Sequence, residues 1–119
     1  MSKIKFTINF ETNLKHKFEK YLTRYESEIK CKLMSLKIDK YYKIDGQYQA
    51  TFLVDNNFDS KELLIYEILR MANQLWSTGY YKWTFHGPFE SNNLHFECIL
   101  NIEDDDQPLK WAHIELIHD

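Results

Sequence analysis

Apolar residues recur at every second position in six stretches of this chain and at every third or fourth in two others, and the order of those stretches is the strongest limit on its fold. Ile4, Phe6, Ile8 and Phe10 alternate with Lys5, Thr7 and Asn9, the pattern of a strand with one apolar and one wet face. Leu14, Phe18, Tyr21, Leu22, Tyr25 and Ile29 then follow helical spacing, with Lys15, Lys17, Glu19, Lys20 and Arg24 outside and Thr12 or Asn13 as the cap. Alternation returns through Met34, Leu36 and Ile38, turns at Asp45-Gly46, and comes back through Tyr48, Ala50, Phe52 and Val54. A second helix carries Leu64, Ile68, Met71, Ala72 and Leu75 on one stripe. Asp59 and Glu62 stand at the spacing of a capping box, Phe58 and Leu63 at that of a hydrophobic staple, and Gly79 is placed to stop the helix. Three strands close the chain. They run through Tyr81, Trp83 and Phe85 to a Gly87-Pro88 turn, then through Leu94, Phe96, Cys98, Leu100 and Ile102, then through Ala112, Ile114 and Leu116.

That order predicts a single α+β domain over residues 1–119. The expected architecture is a two-layer sandwich with a ferredoxin-like β-α-β-β-α-β core and two extra C-terminal antiparallel strands. Both helices cover one sheet face and leave the other open. A chain of 119 residues buries roughly two-thirds of the surface it exposes when unfolded, and three Gly and two Pro argue against long loops or disorder. Cys31 and Cys98 fit no metal spacing and lie in apolar strand patterns, which predicts buried reduced thiols. The opening Met-Ser-Lys-Ile-Lys passes straight into alternation, and no apolar run reaches the length of a membrane span. A cytoplasmic protein with no membrane contact is the expectation.

Glu103, Asp104, Asp105 and Asp106 are four consecutive carboxylates, and like charges so close belong on a solvated hairpin tip. If Phe85, Phe96, Cys98, Ala112, Ile114 and Leu116 face the helices, parity turns His86, His95, Glu97, Trp111, His113 and Glu115 outward on the last three strands. A tight final hairpin would place Trp111 near Asn101, His113 near Ile99 and Glu115 near Glu97. An exposed indole beside complementary charge has the makings of a binding hot spot, so Glu103 to Asp106, Trp111, His113, Glu97 and Glu115 are the candidate partner-binding residues. The plain alternative is a soluble turn next to a solvated sheet face.

Three histidines and two carboxylates on one face also admit a metal-dependent enzyme or ligand binder built from His86, His95, His113, Glu97 and Glu115. Against it, no HxH, HExxH or CxxC spacing occurs, and a twisted sheet seldom makes ligands converge without a cleft. Glu97 and Glu115 would repel each other if directly opposed, which favours something positive visiting them. Nucleic acid is disfavoured, because a net charge of −3 is too acidic for a phosphate-binding domain. The outward positions Lys5, Thr7, Asn9, Gln47, Gln49 and Thr51 also lack the aromatics of an RNA-recognition sheet. No phosphate loop or nucleophile arrangement is present, so no cofactor, metal or catalytic residue is assigned. A homodimer paired through sheet edges is a further reading.

The segment Phe96-Glu97-Cys98-Ile99-Leu100-Asn101, followed by the Asp run and Trp111-Ala112-His113-Ile114-Glu115-Leu116, resembles small bacterial immunity proteins encoded beside contact-dependent growth-inhibition and other polymorphic toxins. The resemblance covers about the last quarter of the chain. It implies a cytoplasmic, non-enzymatic inhibitor that binds one cognate toxin domain, often a basic nuclease. It supplies no fixed contact residues, so the candidates above come from charge and parity.

Overall fold

The computed structural model describes residues 2–55, 57–76, 82–90, 94–104 and 106–118. In chain order these form β1 (Ser2–Glu11), α1 (Lys15–Ile29), β2 (Met34–Lys40), β3 (Gln47–Asp55), α2 (Lys61–Leu75), β4 (Trp83–Glu90), β5 (Leu94–Asn101) and β6 (Leu109–His118). The strands make one antiparallel sheet in the order β2-β3-β1-β6-β5-β4. This is the α+β architecture expected from the periodicity, but it is not a ferredoxin-like sheet. In that topology β4 would lie against β1; here β6 takes the place and β4 stands at the far edge.

The reason is local. β4, β5 and β6 are joined by short connections and stay neighbours, so only β4 or β6 can meet β1. β6 matches the ten residues of β1 and sets Leu116, Ile114 and Ala112 opposite Ile4, Phe6 and Ile8. β4 carries Pro88, which lacks the N–H that an interior strand needs, and its register against β5 shifts between His86 and Phe89. Pro and a bulge belong at an edge. Gly87-Pro88 is therefore a bulge inside β4, joined by a cis peptide, and not the turn anticipated there. Gly79 and Tyr81 lie outside the described residues.

Gly87 has φ near +100°, and a Cβ at this position would run into the backbone oxygen of His95. A side chain meets both a disfavoured backbone angle and fixed main chain. Gly87→Ala should therefore cost about 1–3 kcal/mol, read as a lowered denaturant midpoint with unchanged slope. Wild-type stability in that variant would mean the β4 bulge is not held as described.

The core lies between the helices and one sheet face. Phe18, Leu22, Tyr25 and Ile29 of α1 and Leu64, Ile68, Met71, Ala72 and Leu75 of α2 are buried against the inward residues of the strands. Phe6 stacks on Phe52 at 4.7 Å between ring centres, and Tyr25 meets Phe6 edge-on at 6.1 Å. The Tyr25 hydroxyl donates to the Met71 carbonyl at 2.7 Å, and Arg70 donates to the Ile29 carbonyl at 2.9 Å, which satisfies these polar groups at the helix contact.

Several local expectations are corrected. The α1 stripe begins at Phe18, because Leu14 precedes the helix and is exposed; the Thr12 hydroxyl accepts from Leu14 N–H instead of capping the first turn. The α2 cap is Ser60, whose Oγ accepts from Leu63 N–H at 3.1 Å, one residue later than the Asp59–Glu62 box. Leu64 is in the core as its stripe required, while Leu63, expected in the hydrophobic staple, is exposed. In β2 a bulge at Ser35, with φ of 55°, throws Leu36 out to solvent. Cys31 lies after α1, outside any strand, and is partly exposed, whereas Cys98 is buried and its thiol is pushed up to about 12 by desolvation, with a smaller contribution from Glu97.

Candidate functional site

Cross-strand pairing arranges the open face as rows running across the sheet. The first row is Gln49 of β3, Asn9 of β1, Trp111 of β6 and Asn101 of β5. The second is Thr51, Thr7, His113, Ile99 and Thr84 of β4. The third is Leu53, Lys5, Glu115, Glu97 and His86. Trp111 therefore faces Asn101, His113 faces Ile99 and Glu115 faces Glu97, as parity and a tight hairpin require. Trp111, His113, Glu97 and Glu115 are partly exposed, and His86 and His95 are exposed.

A bulge secures this orientation. β1 and β6 pair Asn9 with Trp111 but Phe10 with Leu109, so Lys110 is the extra residue. Without it, strict alternation would turn Leu109 outward. With it, Leu109 is buried while Trp111 remains on the open face.

The acidic segment leaves the sheet at the same end. Ile102 N–H donates to the Lys110 carbonyl at 2.9 Å, extending the β5–β6 pairing to the base of the loop. Glu103, Asp104 and Asp106 are exposed; Asp105 lies outside the described residues. Lys110 Nζ donates at 2.8 Å to the backbone oxygen of Asp104 rather than to a side-chain carboxylate. Among the described residues, no ion pair neutralises Glu103, Asp104 or Asp106. At Glu103, Asp104 and Asp106 the negative charge stays exposed to solvent.

Beside Trp111 the first row deepens into an open concavity of about 430 Å³, walled by Tyr41 and Ile44 from the β2–β3 connection. Its floor is rich in amides. Gln49 Nε2 donates to Asn9 Oδ1 at 2.8 Å, and Asn9 and Gln47 are buried. Gln47 Oε1 has no hydrogen-bond partner among the described residues. Periodicity placed Asn9, Gln47 and Gln49 outward but gave no reason to join them to Trp111, because that junction depends on β1 lying beside β6. Tyr41 and Ile44 carry no sequence signal for such a role.

In the third row Glu97 and Glu115 stand directly opposed, with the His113 imidazole between them and the indole. His113 Nε2 is 3.7 Å from Glu97 Oε1 and 3.9 Å from Glu115 Oε2. His95 Nε2 reaches the other Glu97 oxygen at 3.2 Å, and the His95 ring stacks on exposed Phe89. The Trp111 and His113 ring centres are 5.9 Å apart. His86 is the β4 partner of Glu97 at the edge of the same row.

No protein-family model, curated protein or solved structure matches this chain. Among the described residues, no helix is long and apolar enough to cross a membrane.

Proposed function

We propose that this chain is an immunity-type inhibitor, a non-enzymatic protein that binds a cognate toxin domain and occludes it. The observation that carries this reading is the placement of a part-exposed indole, set among amides, one residue from the bulge at the base of an acidic loop whose carboxylates make no ion pair among the described residues. Trp111 fills a pocket on the partner. Glu103, Asp104, Asp105 and Asp106 meet its Lys and Arg side chains, and His113, Glu97 and Glu115 lie at the rim. A basic nuclease domain is the partner whose charge this face complements. The inhibitor acts in the bacterial cytoplasm, where its toxin would otherwise act.

The face is favoured over the edges as the docking surface. β4 ends the sheet with a bulge and Pro88, and β2 ends it with the Ser35 bulge and Lys37, Asp39 and Lys40. Bulges, proline and charge all oppose strand addition, which weighs against edge-paired homodimers.

Co-purification with the C-terminal domain of the protein encoded immediately upstream tests the reading. A stable complex that abolishes that domain's toxicity is expected; failure to form one, or an unrelated metabolic protein at that locus, overturns it. In such a complex, replacing Asp104, Asp105 and Asp106 together by Asn should slow association about tenfold at low salt and flatten its salt dependence, with dissociation little changed. Wild-type association rates across low salt would remove the loop from the interface.

A further inference from the structure

Three donor atoms from neighbouring strands converge on the open face. Glu97 Oε1, His113 Nε2 and Glu115 Oε2 belong to side chains whose ligand atoms all lie within 4.8 Å of one another. The two His113 distances, 3.7 and 3.9 Å, are too long for hydrogen bonds. His113 Nε2 is shielded from solvent and has no hydrogen-bond partner among the described residues. A ring nitrogen that is neither hydrated nor bonded is costly, and two carboxylates opposed across a strand pair repel. Lys5, the β1 register partner of Glu115, forms no ion pair with it among the described residues. One cation at the centre of the triangle resolves both costs.

The dimensions fit a metal ion. Donors at separations of 3.7 and 3.9 Å, with the third no longer than 4.8 Å, leave a common point no farther than about 2.5 Å from each, against bonds of about 2.0–2.2 Å from zinc to imidazole nitrogen or carboxylate oxygen. Side-chain adjustments of a few tenths of an ångström close that gap. His95 holds the second oxygen of Glu97 at 3.2 Å, as an outer partner does when it orients a ligating carboxylate. We infer that Glu97, His113 and Glu115 form a binding site for a divalent first-row transition-metal ion, with the remaining coordination positions open to solvent. One imidazole with two carboxylates suits zinc, manganese, iron or cobalt, whereas magnesium and calcium favour all-oxygen sets. The site is complete within one chain, so it needs no toxin and stands or falls apart from the inhibitor reading.

Equilibrium dialysis of the isolated, metal-stripped protein against Zn²⁺, with thermal melts in parallel, tests the site. The wild type should retain one zinc per chain and melt at a higher temperature with the ion than without it. His113→Ala and Glu115→Gln should each weaken retention by at least about tenfold, while His16→Ala, on the exposed surface of α1, should not. Glu115→Gln keeps the side-chain shape and relieves repulsion, so its fold should persist and its melt should lose the zinc response. Replacing Zn²⁺ by Co²⁺ should give visible absorption bands in the wild type that His113→Ala lacks. No stoichiometric zinc on the wild type, or equal retention by His113→Ala and Glu115→Gln, overturns the site and leaves His113 as an imidazole held between two acids.

Discussion

Phe6→Ala should lower the unfolding free energy by about 3–5 kcal/mol, the range found when a fully buried aromatic is truncated and its cavity cannot collapse. Phe6 is wholly buried in β1, one of the two middle strands of the six-stranded sheet, between the stacked ring of Phe52 and the edge of Tyr25. Its register partners Phe52 and Ile114 join β1 to both neighbouring strands, so the cavity would open where three strands meet α1. Domains of this size are stable by roughly 5–15 kcal/mol, so the variant would stand near the edge of folding. Equilibrium denaturation by urea reads the loss directly. A cost below about 1 kcal/mol would mean that the Phe6–Phe52–Tyr25 cluster is not packed as described.

If the chain is the inhibitor proposed above, Trp111→Ala should weaken its complex with the toxin domain by about 2–4 kcal/mol, some thirty- to thousandfold in dissociation constant, chiefly by faster dissociation. The indole is the largest apolar group on the open face of β6 and borders the amide-floored concavity. It faces away from the helices, so its loss should leave the core and the unfolding midpoint nearly unchanged. That contrast separates the two truncations: Phe6→Ala should cost folding stability, and Trp111→Ala should cost only the binding proposed above. Surface plasmon resonance with the purified toxin domain measures the effect, and an affinity within about twofold of the wild type would place the interface elsewhere.

Much of this molecule could be read from its residues in order. The periods separated strands from helices, and the stripes of α1 from Phe18 onward, save the partly exposed Tyr21, and of α2 match the buried residues. Alternation in β5 and β6 also predicted the outward set, including the pairing of Glu97 with Glu115. Such patterns are legible because a helix or strand must hide its apolar side, and the spacing of that side is written locally. The errors have a common origin. Ser60 rather than Asp59 caps α2, Gly87-Pro88 is a bulge rather than a turn, and Leu36 leaves the core at Ser35. Each turns on a displacement of a single residue, which changes the local backbone while hardly altering the apolar pattern.

By itself the sequence determined the element types, the two faces of the strands away from their bulges and the negative charge at the end of β5, since all depend on neighbours within a few residues. Only the tertiary structure decided which strands touch. A meander of three strands can offer either end to β1, and the choice of β6 rests on matched length, matched apolar partners and the unsuitability of a proline-bearing strand for the interior. That choice set Trp111 against Asn9 and Gln49, and Lys5 beside Glu115. It also required the bulge at Lys110, which no period announces, to bury Leu109 and keep the indole outside. The convergence of His113 on two carboxylates is likewise a matter of side-chain direction across the β5–β6 pair, and distances between strands are settled by packing rather than by spacing along the chain.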